Sequence, residues 1–128
     1  MEVEVTLRGP ALLMSEAQIT RRLNGAMDEV LEAVGREVHR DWQGNMHRDF
    51  RHPTGAYWSR VVIVPRPGIV RVTDNFVIYG AWLEGTSRRN ARTRFKGYAG
   101  ARRAAQQVER EVPKIARPVL ERALGVLR

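Results

Sequence analysis

Apolar and polar residues alternate from the start of the chain. Val3, Val5 and Leu7 fall between Glu2, Glu4, Thr6 and Arg8, the period of two that marks a half-buried strand, and Gly9-Pro10 ends it. The period then lengthens. Ile19, Leu23, Met27, Val30, Leu31, Val34, Val38 and Trp42 recur at steps of three and four, which predicts a long amphipathic helix. Ser15 and Gln18 open it at capping-box spacing, and it runs towards Phe50. Gly25, Gly35 and Gly44 are candidate interruptions, and His52-Pro53-Thr54-Gly55 must end it. At ~1.5 Å per residue, roughly 35 residues would measure about 50 Å, more than so small a domain needs for its own core.

Val61 to Val64 and Ile69 to Val72 are two β-branched runs separated by Pro65-Arg66-Pro67-Gly68, the pattern of a hairpin. The two prolines lack a ladder donor, so pairing should stop where they stand. Asp74-Asn75 is a second turn signal, and Phe76, Val77, Ile78 and Tyr79 after it either extend the sheet or open a short helix. Gly85 to Gly97 has no apolar periodicity and reads as an exposed loop, at a length where loops are usually functional or disordered. A second amphipathic helix closes the chain, with Ala101, Ala104, Ala105, Val108, Val112, Ile115, Val119, Leu120, Ala123, Leu124 and Leu127 on its apolar stripe. Pro113 and Pro118 predict a kink or a restart within it. The architecture is therefore α+β: a small antiparallel β-sheet packed against one long amphipathic helix, plus a C-terminal helix.

With 128 residues, 43% of them hydrophobic and 28% charged, the chain fits one domain, 1–128, and falls within ordinary globular usage. No apolar run approaches the ~20 residues of a bilayer span, and the acidic, alternating N-terminus is unlike a signal peptide. The expectation is a soluble protein that stays in the cytoplasm where it is made and has no membrane partner. The absence of cysteine removes disulfides, thiolate zinc sites and cysteine nucleophiles. Net charge is +8, and most of it is local. Between Gly85 and Gln107 there is no acidic residue, while Arg88, Arg89, Arg92, Arg94, Lys96, Arg102 and Arg103 supply seven positive charges. Such a field attracts polyanions or acidic protein surfaces.

Candidate chemistry is sparse. His39-Arg40-Asp41-Trp42 is echoed by His47-Arg48-Asp49-Phe50, but residues eight apart on a helix are separated by about 12 Å, too far to share one metal ion. A solvated, charge-alternating helical face is expected there. Glu84 is the only carboxylate near Tyr79, Trp82 and Tyr98, and a lone carboxylate lacks the partner that acid–base hydrolysis needs; an ion pair with a loop arginine is expected. The common phosphate-loop, nucleophile-elbow and zinc-helix signatures are missing. In the basic segment, arginine forks bind phosphates and carboxylates alike, and Phe95 and Tyr98 either stack on bases or anchor the loop. Composition leaves docking on an acidic protein and contact with nucleic acid both open. Sequence-specific DNA reading is not expected, because no helix-turn-helix precedes the basic run.

The stretch Tyr79-Gly80-Ala81-Trp82-Leu83-Glu84-Gly85-Thr86-Ser87-Arg88-Arg89-Asn90, continued by Thr93-Arg94-Phe95-Lys96-Gly97-Tyr98, resembles the tail-completion or neck family of long-tailed bacteriophages (siphophages among them). In that family a long helix leads to a Thr-Gly, two strands, a Tyr-x-x-x-Leu/Val-Glu-x-Gly-Thr-like segment and a C-terminal helix. Here Thr54-Gly55, the strands around Val61 to Val72, and Tyr79 to Thr86 stand in that order, and the likeness spans Ser15 to Leu127. The resemblance implies a non-enzymatic structural subunit of the head-to-tail connector. It would form a homo-oligomeric ring, six copies to match the tail's symmetry, between the head-closure proteins and the tail terminator of the virion, assembled in the host cytoplasm. No cofactor, metal or catalytic residue is implied. A ring would cover the over-long helix with a neighbouring subunit. Arg88, Arg89, Arg92 and Arg94, with Phe95, Lys96 and Tyr98, would then meet an adjacent ring or contact the genome in the channel without sequence preference. A tail-terminator ring is the nearest alternative; a small cytoplasmic nucleic-acid-binding module is the alternative of another kind.

Overall fold

A computed structural model of the chain describes residues 1–6, 17–50, 57–77, 79–93 and 95–125. The elements run β1 (Glu2–Thr6), α1 (Ala17–Asp49), a single 3-10 turn (Trp58–Arg60), β2 (Val62–Arg66), β3 (Ile69–Thr73), α2 (Gly80–Glu84), α3 (Arg88–Thr93) and α4 (Gly100–Gly125). The architecture is α+β, a three-stranded antiparallel sheet in the order β1-β3-β2 packed against α1 and α4. Ser15, Gly9-Pro10 and His52 to Gly55, the expected cap and breakers, lie outside the described residues.

β3 is the central strand, paired with β1 on one edge and β2 on the other. Val70 and Val72 are buried, and they pair with Val5 and Val3 on one edge and with Pro65 and Ile63 on the other. Pairing continues past Pro65 to Arg66, contrary to the expected stop. β2 is an edge strand, so the missing proline N–H costs no ladder bond. The turn is only Pro67-Gly68, with Gly68 at φ 75°, where proline presets the first corner and glycine supplies the positive φ of the second.

α1 is unbroken through Gly25, Gly35 and Gly44. Gly35 makes room: a Cβ there would stand 2.5 Å from Cγ1 of Val70, so the glycine lets β3 approach the helix axis. The buried stripe of α1 is Ala26, Val30, Leu31, Val34, Val38, Trp42 and Met46. Ala101, Ala104, Val108 and Val119 of α4 and the inner face of the sheet join it in one core. Trp42 is 2% exposed. The expected shortfall of cover on the long helix is therefore corrected from Val30 to Met46, which α4 and the sheet cover within the chain. Nearer its start, Leu23 and Met27 are half-buried. Among the described residues, the exposed large hydrophobics are Val62, Phe76 and Tyr79.

α4 continues through Pro113 and Pro118 without a restart. Both prolines lie on its exposed side, where neighbouring carbonyls freed from the helical ladder can turn to water.

After β3 the chain neither extends the sheet nor enters a helix at once. Asn75 and Phe76 both take positive φ, 57° and 56°, in a turn held by Asn75 N–H on Oγ1 of Thr73 and Phe76 N–H on Oδ1 of Asp74. Asp74 is wholly buried. Its carboxylate also accepts from the Tyr57 hydroxyl at 2.6 Å and from the Met1 amino group at 2.7 Å, which fastens all three strands at one end of the sheet. Burial, then the hydrogen bond to Asp74, pushes the Tyr57 hydroxyl pKa well above the ordinary tyrosine range.

Candidate functional site

The segment between Tyr79 and Tyr98 is a closed arm built on two glycines. Gly80 begins α2 because Asp74 lies directly beneath it: a Cβ at Gly80 would fall 2.0 Å from Oδ2 of Asp74. Tyr79 stacks on Tyr57 at 5.5 Å. α2 ends at Gly85, in the left-handed region at φ 99°, and the N–H groups of Gly85 and Thr86 both donate to the Ala81 carbonyl. This is the left-handed glycine stop that closes many helices.

At the far end of the arm, Gly97 sits at φ 82°, back to back with Gly85. A Cβ on Gly97 would lie 2.3 Å from Cα and N of Gly85, and a Cβ on Gly85 would lie 2.2 Å from the Lys96 carbonyl oxygen. Two bare backbones therefore touch where the arm begins and ends. The Tyr98 N–H, donating to the Leu83 carbonyl at 2.7 Å, extends the clasp.

Inside the arm, the expected exposed loop contains the helix α3. Ser87 caps it by accepting from the Arg89 N–H at 3.2 Å, and Thr93 Oγ1 closes back on the Arg89 carbonyl. Asn90 is the internal strut. Its amide donates to the carbonyls of Trp82 (2.9 Å) and Phe95 (2.7 Å), while its side-chain oxygen accepts from the Ser87 N–H. The sequence carried a signal for α3, a serine just ahead of Arg88-Arg89-Asn90-Ala91, but the density of positive charge masked it.

The aromatic residues of the segment are anchors. Phe95 packs on Trp82 at 4.6 Å and edge-on to Tyr98 at 5.1 Å, and Tyr98 reaches Phe50 of α1 at 5.2 Å. Their faces are engaged within the chain rather than offered to bases. Leu83 packs against the core, and Thr86 is exposed beside the Gly85 stop.

Glu84 corrects the expected ion pair. It is 5% exposed, and its carboxylate accepts from the backbone N–H groups of Ala101 (2.8 Å) and Arg102 (3.2 Å), at the start of α4. The first N–H groups of a helix have no partner within it, and a carboxylate placed there also meets the positive end of the helix dipole. Asn45 of α1 holds the same junction by donating to the Gly100 carbonyl at 3.0 Å. Glu84 is thus the cap of α4 supplied from another element, a role that no local spacing could reveal.

Arg88, Arg89, Arg92 and Lys96 are all exposed; Arg94 lies outside the described residues. The Arg89 guanidinium stands 5.8 Å over the Trp82 ring, a cation–π distance. No carboxylate among the described residues forms an ion pair with Arg88, Arg89, Arg92 or Lys96. Their charge is directed outward.

The paired His-Arg-Asp stretches on α1 do not form one face. His39 Nε2 lies 2.9 Å from the Val61 carbonyl oxygen, whereas Asp49 pairs with Arg103 of α4. No group of three or more histidine and acidic residues able to hold a metal ion occurs among the described residues. One basic feature had no sequence signal. Arg40 and Arg48 of α1 and Arg103 and Arg110 of α4 surround a polar cleft of about 520 Å³, brought together from stretches more than fifty residues apart. No described helix is long and apolar enough to cross a membrane.

No known protein family matches the chain, and neither a curated protein sequence nor a solved structure is similar enough to establish a relationship.

Proposed function

We propose that this chain is a non-enzymatic structural subunit of a phage head-to-tail connector. It is one member of a homo-oligomeric ring, six-fold with the tail, set between the head-closure proteins and the tail terminator. The observation that carries this reading is the clasped arm: the Tyr79-to-Thr86 segment, which resembles that of neck proteins, leads into a pre-shaped projection on which Arg88, Arg89, Arg92 and Lys96 are exposed and form no ion pair among the described residues. A rigid cationic projection suits docking into an acidic surface of a stacked ring, since little ordering entropy remains to be lost on contact. The element order from long helix to hairpin, α2 and C-terminal helix supports the same reading.

The decisive experiment is imaging of particles assembled without this protein. Filled heads lacking attached tails are expected, and normally tailed particles would overturn the reading.

A second reading rests on the same exposed arginines: sequence-independent contact with nucleic acid. It predicts duplex binding by the purified chain, with affinity falling steeply as salt rises. Absence of measurable binding at low salt would remove it.

A further inference from the structure

One exposed aromatic has no role in the fold. Phe76 is 70% exposed and is held at φ 56°, a conformation that a bulky aromatic residue seldom adopts. Its backbone N–H is pinned by the buried carboxylate of Asp74 at 2.9 Å. Strain of this kind persists only where the surroundings over-determine it, and it collects at functional positions. Exposed Val62 and Tyr79 share the surface around it, and the exposed Arg60 stands beside them. The knob lies at the end of β3, beside the start of β2.

The β1 edge, where that strand meets the helices, carries a groove. Val3 and Val5 of β1, Val34 and Val38 of α1, and Val108 and Val112 of α4 line a depression of about 290 Å³. Glu4 and Glu109, both exposed, stand at its rim. Glu4 is engaged with Arg71 of the sheet's outer face, which leaves Glu109 as the rim carboxylate without an ion pair among the described residues. An aromatic knob beside a cation and an apolar groove beside a carboxylate thus form two separate patches of the chain. Two different complementary patches make head-to-tail contacts, which close into a ring when the rotation between neighbours allows it.

We propose that Phe76 of one copy seats in the β1–α1–α4 groove of the next, with Arg60 meeting Glu109 across the joint. The occupant is a second copy of this chain. The contact rests on the ring reading above and gives it a specific joint: the arm then remains free to face the stacked partners while the knob and the groove meet each other.

The test is self-association of the full chain by sedimentation across a concentration series, together with photo-crosslinking from a benzophenone amino acid placed at position 76. Phe76→Asn removes the knob while suiting the positive φ, so an unchanged melting temperature with at least tenfold weaker association is expected. Arg60→Glu should weaken association similarly, and Arg60→Glu combined with Glu109→Arg should restore it. The photo-crosslink should map to residues of β1 or to 105–112 of a second copy.

A ring that survives Phe76→Asn and crosslinks elsewhere overturns this joint and leaves the ring standing. A wild-type chain that stays monomeric at every concentration overturns both the joint and the ring.

Discussion

Glu84 shows how one buried carboxylate can decide the geometry of a distant helix. Its two hydrogen bonds to the first turn of α4 satisfy donors that would otherwise be buried without partners. Glu84→Gln keeps one acceptor and loses the charge, and is expected to lower stability by about 1–2 kcal/mol; Glu84→Ala should cost more, about 2–4 kcal/mol, through orphaned amides and a cavity. Urea denaturation of the three proteins measures both, and an unaffected Glu84→Ala variant would refute the capping role. Tyr57 gives a pH signature. Its hydroxyl pKa is raised in the fold, by burial first and the Asp74 hydrogen bond second, so above about pH 10, where a free tyrosine ionises, the unfolded chain releases a proton that the folded chain keeps. The contribution is complete below that pH and is lost as pH rises beyond it. The stability difference between wild type and Tyr57→Phe, measured in urea between pH 8 and 11, should therefore shrink on the alkaline side. A difference that stays constant would count against the raised pKa.

At the level of elements, the arm stands on the contact between Gly85 and Gly97. Neither position admits a Cβ, for reasons of space and of positive φ. Gly97→Ala is expected to destabilise the protein by about 2–4 kcal/mol and to raise amide exchange in α3 while exchange in the α1 core stays slow, which hydrogen-exchange mass spectrometry resolves. Uniform loss of protection instead would mean that the clasp supports the whole domain rather than the arm. These elements also mark how far the sequence could be read. The period-two and period-three-to-four patterns reported β1, α1 and α4 because each buries a continuous apolar face, and Pro67-Gly68 reported the hairpin because the turn needs those two residues. Asp74, Glu84, Asn90 and the Gly85–Gly97 contact were not legible. Each takes its role from a partner that is distant in sequence or from a backbone conformation, and none of them disturbs an apolar period. Arg88 and Arg89 were visible as charge, but the same charge concealed the short helix that carries them.

For the molecule as a whole, the exposed arginines and the core are separable. Replacing Arg88, Arg89 and Arg92 together by glutamate should leave the melting temperature within a few degrees of wild type, because none forms an ion pair among the described residues and the exposed Arg89–Trp82 contact is worth only about 0.5–1 kcal/mol. The same variant should fail to restore tailed particles to an assembly reaction lacking the protein. Calorimetry and electron microscopy of complemented lysates check the two halves, and full rescue by the triple variant would move the docking role away from α3. From Val30 to Met46, α1 finds its cover in α4 and the sheet, so oligomerisation is not needed to hide that part of the helix.

The clasp at Gly85 and Gly97 has a kinetic corollary. A projection whose shape is settled during folding has no search for structure to complete once it meets its target. Encounter would then be governed by long-range attraction between its guanidinium groups and an acidic counter-surface, so the association rate constant should fall with ionic strength while the dissociation rate hardly moves.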